Sequence, residues 1–299
     1  MRRTRGTIAF VISALLAACA TGTGENAHRR FARKTTTTSR TTPASSTTTS
    51  TTTTMPPTSS TAPATTTTRT FSASTPGLAA VAGKVIVVDA GHNGGNAAHS
   101  AEIARPIFIG TQTRACDTTG TQTNDGYAEH AYTLDVALRL RDLLAGAGAS
   151  VVLTRTDDAG VGPCIDERAA IGNRAHAVVG ISIHADGGPS GGRGFHVNMP
   201  ANIVGYTDDI YVASHRLGVD LRDAYAAGTG VPPATYIGSS GLVERSDFGG
   251  LNLSDVPKVL FETGNMRNAT DAALVRDAGF RQRVAAALAT GIGQYLAGR

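Results

Sequence analysis

Apolar and polar residues follow two distinct spacings from residue 84 onward. Short continuous apolar runs are typical of strands that are buried on both faces. Between these runs, apolar residues recur at helical spacing; Tyr132, Val136 and Leu140 share one face of a helix that Gly146 and Gly148 close. The apolar runs predict strands at residues 84–90, 150–155, 177–185, 194–200 and 256–265. The helical spacings predict helices within residues 126–148, 165–176, 209–227, 271–277 and 279–296.

Regular alternation of strands and helices predicts an α/β fold. We expect residues 77–299 to form a single-domain three-layer sandwich, with a mainly parallel central sheet and helices on both faces. Because the chain has no Trp and only 5% aromatic residues, Val, Ile, Leu and Ala should build most of its core. In sheets of this kind, ligands bind beyond the carboxyl ends of the strands.

The first 76 residues lack this pattern. Residues 1–19 are predicted to be a secretory signal peptide, because arginines at the start are followed by a short apolar segment and then by small residues. The apolar segment is too short to span a membrane readily. Residues 16–19 also resemble the lipobox of bacterial lipoproteins, which would make Cys19 a lipidation site; the alternative is an ordinary signal peptide with a chance Cys. Residues 20–76, rich in Thr, Ser and Pro, are predicted to form a disordered tether.

Charge separates the same two regions. The chain has a net charge of +4, but residues 1–76 hold nine basic residues against one acidic residue. The remaining residues carry 18 basic and 22 acidic side chains, so the globular part is mildly acidic and nucleic acid is not an expected partner. We expect an exported, monomeric protein of the bacterial periplasm or cell envelope, associated with the membrane only through its N-terminal anchor.

Three predicted strands end in residues that bind metals or transfer protons. The strand at 84–90 leads to His92, the next central strand to His184, and the last strand to Glu262. A catalytic zinc needs about three protein ligands and an open position for water. Glu129 continues the buried stripe of the first long helix and is the candidate for the third ligand, with His130 as its rival. The alternative role for Glu129 is a favourable interaction with the helix dipole.

Glu262 is a candidate proton acceptor beside such a metal. Its alternative role is a salt bridge with Arg245 or Arg267. Asp89 could orient His92 or cap the turn that precedes it. Arg245 could contact substrate or form a surface ion pair.

Two cysteines, Cys116 and Cys164, remain if Cys19 is the processing site. Both lie in polar, Gly-rich sequence, and a single disulfide is expected in an oxidising compartment. Two free thiols or two metal ligands are the alternatives.

The motifs together carry a family resemblance. They read, in order, VVDAGHNGG, AEHAYTLDVALRLRDLLAGAGASVVLTRTDD, IDERAAIGNRAHAVVGISIHADGG, GRGFHVN and VLFETGNMRNA. This series resembles the zinc-dependent N-acetylmuramoyl-L-alanine amidases, which cut peptidoglycan, and the resemblance covers nearly all of residues 77–299. It implies one Zn²⁺ held by His92, Glu129 and His184, with Glu262 as the catalytic residue. The implied substrates are the muramyl peptides of peptidoglycan, cut between the lactyl group and L-alanine.

The paired cysteines resemble those of a disulfide-bearing subgroup that consists of the catalytic domain alone. Two other functions compete with this one. A catalytically silent or gated peptidoglycan-binding module would keep the fold without the turnover, and the polar loop at 97–128 is the candidate gate. A stem-peptide carboxypeptidase is disfavoured because its first His and Glu lie a few residues apart on one loop, whereas 37 positions separate His92 and Glu129 here.

Overall fold

A computed structural model describes residues 77–298. The predictions for the signal peptide, Cys19 and the tether concern residues 1–76 and lie outside the described residues. The strands are β1 (Val85–Ala90), β2 (Pro106–Phe108), β3 (Thr113–Ala115), β4 (Ser150–Leu153), β5 (Val179–Asp186), β6 (His196–Pro200), β7 (Leu242–Arg245) and β8 (Lys258–Asn265). The α-helices are α1 (Ser100–Ile103), α2 (Glu129–Gly146), α3 (Ile165–Arg174), α4 (Tyr211–Thr229), α5 (Gly249–Asn252), α6 (Ala269–Arg276) and α7 (Ala278–Leu296).

Six of these strands form one sheet in the order β4–β1–β5–β8–β6–β7. The first four are parallel to one another, whereas β6 is antiparallel to β8 and β7 is parallel to β6. The mainly parallel sheet with helices on both faces confirms the predicted fold class. Strand β7 was not predicted, because only two of its four residues are apolar and the strand lies at the edge of the sheet.

One face of the sheet, called here the apolar face, packs against α2, α4 and α7. Strand residues with side chains on this face alternate with those on the other, as in any pleated strand. Each large side chain that is fully buried here contributes about 1.5–3 kcal/mol to stability. The buried cluster includes Ile86, Val88, Tyr132, Val136, Leu140, Ile181, Ile183, Phe195, Leu217, Leu221, Tyr225, Val259, Phe261, Val284 and Leu288.

The opposite face, called here the charged face, lies beneath α3, α5 and a β2–β3 hairpin. Its apolar contacts are limited to small clusters, such as Val87 with Ala177 and Val256. Asp89 and Lys258 are fully buried strand residues on this face and form an ion pair, with Lys258 Nζ 3.1 Å from Asp89 Oδ2. The charged face therefore holds polar side chains where the apolar face holds aliphatic and aromatic ones.

Residues 97–128, predicted as a long polar loop, are folded. They contain α1 and the β2–β3 hairpin, whose Ile107 and Ile109 are buried against the cysteines. Cys116 and Cys164 form the predicted disulfide, with their Cα atoms 4.5 Å apart. The two free thiols and the cysteine metal ligands are thereby excluded. Of the helices within residues 77–298, none combines the length and the apolar character needed to cross a membrane.

Candidate metal centre

His92, Glu129 and His184 come together at the carboxyl ends of the central strands. His92 follows β1, His184 lies near the end of β5, and Glu129 is the first residue of α2. One potential ligand atom from each residue lies within 4.8 Å of the other two, so this trio could hold a metal ion. The His92 and His184 side chains are 11% and 14% exposed, which leaves the trio accessible to a small molecule.

The turn after β1 directs His92 into the site. His92 adopts a left-handed backbone conformation with φ of 59°, which a non-glycine residue rarely adopts. Two glycines leave room for the imidazoles. A Cβ atom at Gly91 would overlap the His184 ring, and one at Gly120 would lie 2.8 Å from Glu129 Oε2 and from His92 Cδ2. The glycine of the DAGH motif is therefore required by close packing against the second histidine.

Glu129 is buried between the two histidines. Its Oε1 lies 3.0 Å from His184 Nδ1, and its Oε2 lies 3.4 Å from His92 Nε2. Two backbone N–H groups also donate to this carboxylate, from Thr121 at 2.8 Å and from Ala185 at 3.1 Å. Glu129 is in the first turn of α2, as the helix-dipole role requires, but its contacts with both imidazoles go beyond that role.

The rival ligand, His130, is directed elsewhere. Its Nδ1 lies 2.6 Å from Asp158 Oδ2, and it is not part of the metal-capable trio. One residue along a helix corresponds to a rotation of about 100°, so only one of these two neighbours can point toward the sheet edge.

The electrostatics of the trio favour positive charge. Burial alone would lower the pKa of His92, but the carboxylates of Glu129 and Asp117 outweigh it and raise that pKa to about 10. Burial likewise opposes the ionised form of Glu129, yet the two histidines hold the pKa of its carboxyl well below the usual range. A field that stabilises an extra proton on an imidazole would also stabilise a bound cation.

Glu262 lies next to His184 across the sheet. The two residues are directly paired between β5 and β8. Glu262 Oε2 is buried and has no hydrogen-bond partner within residues 77–298. Burial, together with the nearby carboxylates of Glu129 and Asp186, raises the pKa of Glu262 well above its ordinary value.

The alternative that Glu262 is salt-bridged is wrong. None of the ion pairs formed among residues 77–298 includes Glu262. Arg245 instead binds Asp247, through Nε at 2.7 Å and Nη2 at 2.8 Å, and lies over the Phe248 ring. Arg267 Nη1 lies 3.4 Å from the carbonyl oxygen of Gln122.

Comparison with known proteins assigns this arrangement to a family. The sequence profile of the Amidase_3 family, described as N-acetylmuramoyl-L-alanine amidase, matches residues 86–294. The chain belongs to this amidase family. Over 230 residues, 76% of this chain and 91% of the relative, it is 43% identical to the N-acetylmuramoyl-L-alanine amidase Rv3717 of Mycobacterium tuberculosis.

Solved structures of amidases have the same fold. The structure of Ami1 from Mycobacterium smegmatis matches with a TM-score of 0.69 and 42% identity, covering 73% of this chain and 99% of that one. Ami1 from Mycobacterium abscessus, in its apo form, matches with a TM-score of 0.68 and 43% identity, covering 72% of this chain and 100% of that one.

Asp89 does not orient His92 in this amidase-family chain, which corrects one of the sequence-based expectations. Within the described residues, Arg168 Nη1 donates to Asp89 Oδ1 at 2.8 Å and Lys258 Nζ donates to Oδ2 at 3.1 Å. Burial opposes ionisation of Asp89, but Lys258 and Arg168 hold the pKa of its carboxyl well below the usual range. Asp89 thus pairs with the buried basic residues of the charged face and does not contact the metal-capable trio. Two hydroxyls complete its shell, from Thr154 at 2.8 Å and Ser182 at 2.9 Å.

A second carboxylate, besides that of Glu129, contacts His92: it belongs to Asp117, which the sequence did not single out. Its Oδ1 lies 3.1 Å from His92 Nδ1, and its Oδ2 accepts a hydrogen bond from Arg168 Nη2 at 3.1 Å. Asp117 directly follows Cys116 in a polar stretch without a predicted element. The one feature of the sequence that could have pointed to Asp117 is its place next to Cys116, which was expected to form a disulfide.

A cavity of about 450 Å³ opens beside His92 and His184 on the charged face. Leu260 and Phe248 are among the apolar residues that line it. At its edge, Arg114 Nη2 of the hairpin lies 2.6 Å from Asp247 Oδ2. A clefted site of this size can hold several groups of a small ligand next to the trio.

Proposed function

We propose that this protein is a zinc-dependent amidase that hydrolyses the amide bond between the lactyl group of N-acetylmuramic acid and L-alanine in peptidoglycan. The observation that carries the proposal is the separation of two roles within one site. Three side chains form a metal-capable trio, and a fourth, Glu262, lies beside the trio with its Oε2 buried and without an ion-pair partner in the described chain. The family match supports the substrate class.

The residues of the trio fit zinc. Two imidazoles and one carboxylate, with room for water, are a typical donor set for catalytic zinc. His92, Glu129 and His184 would hold one Zn²⁺, and the buried Glu129 carboxylate would supply its negative charge. When bound, zinc acts as a Lewis acid that stabilises negative charge on the substrate carbonyl oxygen and makes water a better nucleophile at neutral pH.

Glu262 would move the proton. Its carboxylate accepts a proton from the attacking water while the water oxygen bonds to the amide carbon. It then returns that proton to the nitrogen of L-alanine as the carbon–nitrogen bond breaks, so that the products are a free lactyl carboxyl group and a free amine. The raised pKa of Glu262 in the metal-free protein favours the second step, in which its carboxyl donates, and the positive charge of a bound metal would favour the ionised form that the first step requires.

The location of the enzyme is part of the proposal. A signal peptide over residues 1–19, with lipidation of Cys19, and a disordered tether over residues 20–76 would hold a zinc amidase domain of residues 77–299 near the membrane. The domain would act there as a monomer on muramyl peptides. Family membership supports a cell-envelope setting.

The test is hydrolysis of a purified muramyl peptide by the full chain, with release of the L-alanine-terminated peptide as the readout. A chelator should abolish release and added zinc should restore it. Glu262→Gln should retain zinc but slow release by about 10²–10⁴-fold, the usual contribution of a general acid–base group. His184→Ala should lose both zinc and activity.

His99→Gln is the matched control, because His99 is 52% exposed and not part of the trio. It should leave zinc content and activity unchanged. Activity that survives complete removal of metal would disprove the proposal. Bound zinc without hydrolysis by the unmodified chain would favour the silent or gated peptidoglycan-binding module instead.

A further inference from the structure

Asp117 lies between His92 and Arg168, a buried arginine beside the site. Asp117 is 7% exposed and Arg168 is 4% exposed, so both are shielded from bulk water. One carboxylate oxygen is 3.1 Å from His92 Nδ1, and the other accepts from Arg168 Nη2 at 3.1 Å. An ionised carboxylate only accepts hydrogen bonds, so the hydrogen in the first contact belongs to His92.

Arg168 fixes this carboxylate and the His92 turn at once. Its Nη1 donates to the carbonyl oxygen of Ala90 at 2.7 Å, and its Nη2 donates to that of His92 at 3.1 Å. Its Nε donates to the carbonyl oxygen of Pro163 at 2.9 Å. The planar guanidinium therefore holds the backbone on both sides of Gly91 in a fixed relation to Asp117.

The disulfide joins the two segments that carry Asp117 and Arg168. Cys116 precedes Asp117, and Cys164 immediately precedes α3, the helix of Arg168. The connection is reinforced by a backbone hydrogen bond in which Ile165 N–H donates to the Cys116 carbonyl oxygen at 2.9 Å. The Asp117 N–H donates in turn to the carbonyl oxygen of Ile103 at 3.1 Å.

From these contacts we propose that Asp117 is a positioning residue for the metal ligand His92, and that the Cys116–Cys164 disulfide keeps it in place. Asp117 accepts the hydrogen from Nδ1 together with the Thr118 carbonyl oxygen, which also lies 3.1 Å from Nδ1 and whose own N–H donates to Asp117 Oδ1 at 2.7 Å. Asp117 thereby holds both the imidazole and this second acceptor, and fixes the orientation and the tautomer of the ring. The nitrogen left to hold zinc would then be Nε2, which faces Glu129. Affinity for zinc thus depends on a disulfide that contributes no ligand. This inference rests on the proposed function, because it concerns the zinc that the trio would hold.

Asp89 provides a matched control within the same network. It is also a buried carboxylate and also accepts from Arg168, but it has no contact with His92 within the described residues. Asp89→Asn keeps an acceptor for Arg168 and removes one negative charge. A general loss of charge or of packing on this face would affect both variants, whereas of these two carboxylates only Asp117 contacts His92.

The experiment measures zinc affinity of the full chain, stripped of metal and titrated with zinc against a chromogenic chelator. Asp117→Ala should weaken zinc binding by about 10–100-fold, the usual cost of removing a hydrogen-bond partner of a metal-binding histidine. Asp117→Asn keeps an oxygen that accepts from Nδ1 and should recover part of the loss. Asp89→Asn should bind zinc as the unmodified chain does. Imidazole ¹⁵N chemical shifts of the zinc-loaded chain should assign hydrogen to His92 Nδ1.

The disulfide is tested by combining variants. Replacing both cysteines with Ser should also weaken zinc binding. Adding Asp117→Ala to that variant should weaken it no further than about twofold, because residues that act through one contact have non-additive effects. Circular dichroism of each metal-free variant identifies any that fails to fold, and Asp117→Asn then replaces Asp117→Ala.

Three results would overturn the inference. These are unchanged zinc affinity in both Asp117 variants, an equal loss in Asp89→Asn, or additive losses from the disulfide and Asp117→Ala. If the unmodified chain bound no zinc, the proposed function would fail together with this inference; if it bound zinc and the Asp117 variants did too, only the inference would fail.

Discussion

The two faces of the central sheet are built by the same strands and differ in almost every other respect. Along β8, Val259 and Phe261 point into the apolar face, while Lys258 and Glu262 belong to the charged face. The apolar face consists of buried aliphatic and aromatic side chains, as stability requires. The charged face buries carboxylates, an ammonium and a guanidinium beneath shorter helices.

The charged face is itself divided between its interior and the carboxyl ends of its strands. In the interior of this face, Asp89 is neutralised by Arg168 and Lys258. Toward the carboxyl ends, Glu129 contacts only imidazoles and backbone N–H groups, and Glu262 has no ion-pair partner among the described residues. On this face, within residues 77–298, the buried carboxylate oxygens without a basic ion-pair partner other than histidine are therefore those of Glu129 and Glu262, at the site. Buried charged residues therefore occur both in the residues that support the site and in the site itself. The two groups differ in pairing: the supporting residues form ion pairs with Arg or Lys, and the site residues do not.

Removing a large side chain from the apolar face should affect stability and not chemistry. Phe261 stacks on Phe195 at 5.7 Å between centroids and contacts Tyr225 at 4.7 Å. Phe261→Ala should lower the free energy of unfolding by about 3–5 kcal/mol because it leaves a cavity in a packed core. Denaturant unfolding measures this loss, and turnover per folded molecule should change little although Glu262 is the next residue.

Phe108→Ala is the control for Phe261→Ala, because Phe108 is the same residue type at 61% exposure. Its effect should stay within about 0.5 kcal/mol. Loss of zinc binding in folded Phe261→Ala would show that the two faces are not independent.

Breaking the paired charges should affect stability in a pH-dependent manner. Asp89→Asn leaves Lys258 without its carboxylate and should lower the free energy of unfolding at pH 7 by about 3 kcal/mol. Asp89 has a lowered pKa in the folded state, so its stabilisation is present above the unfolded value of 3.8 and is lost as pH falls below it toward the folded value. Unfolding curves at several pH values should show the gap between the two proteins closing only below about pH 4.

A gap that stayed constant down to pH 2 would mean that the carboxylate charge of Asp89 contributes nothing to stability. Ser182→Ala is a useful comparison, since it removes one neutral hydrogen bond to the same carboxylate. Its effect should be smaller, about 1 kcal/mol, and nearly independent of pH above 4.

The sequence predicts the apolar face better than the charged face, for a physical reason. Apolar periodicity reports which side chains are buried, and it located α2, α4, α7 and the central strands within a few residues. It also led to His92, His184 and Glu262; the structure has His92 just after β1, and His184 and Glu262 in the carboxyl-terminal halves of β5 and β8. The β2–β3 hairpin gives no such signal, because each of its strands has three residues and its hydrophobic contacts are with a disulfide.

The roles of Asp89 and Asp117 could not be separated by sequence distance. Asp89 is three residues from His92 and Asp117 is 25 residues away, yet Asp117 contacts the imidazole. Asp89 precedes the left-handed turn, and strand alternation directs its side chain down into the sheet face toward Lys258. Contacts between polar residues that are far apart in the sequence depend on the paths of the loops. Loop paths produce no periodic pattern in the sequence, so these contacts could not be predicted from it.

Removing the unpaired charge should stabilise the metal-free protein. Glu262→Gln replaces a carboxyl that has no ion-pair partner within residues 77–298, and should raise the free energy of unfolding by about 1–3 kcal/mol at pH 7. The pKa of Glu262 is raised in the folded state, so the folded protein is penalised once pH exceeds the unfolded value of 4.5. The advantage of the variant should therefore grow from pH 4.5 upward in thermal unfolding and vanish below it. Equal stability at pH 5 and pH 8 would contradict this account, and Glu244→Gln, at an exposed carboxyl, is the control.

The smallest effect is expected for a charge pair at the outer surface of the same helix that carries Arg168. Arg174 lies six residues after Arg168 on α3 and pairs with Glu167, and the two side chains are 61% and 48% exposed. Arg174→Ala should leave the denaturation midpoint unchanged within measurement error, because water screens exposed ion pairs and side-chain entropy offsets them. Any residual effect should disappear at high salt. If Arg174→Ala shifted the denaturation midpoint as much as Asp89→Asn, the contribution of a charge on this side of the sheet to stability would not depend on its burial. The distinction between paired interior charges and exposed charges would then have no physical basis.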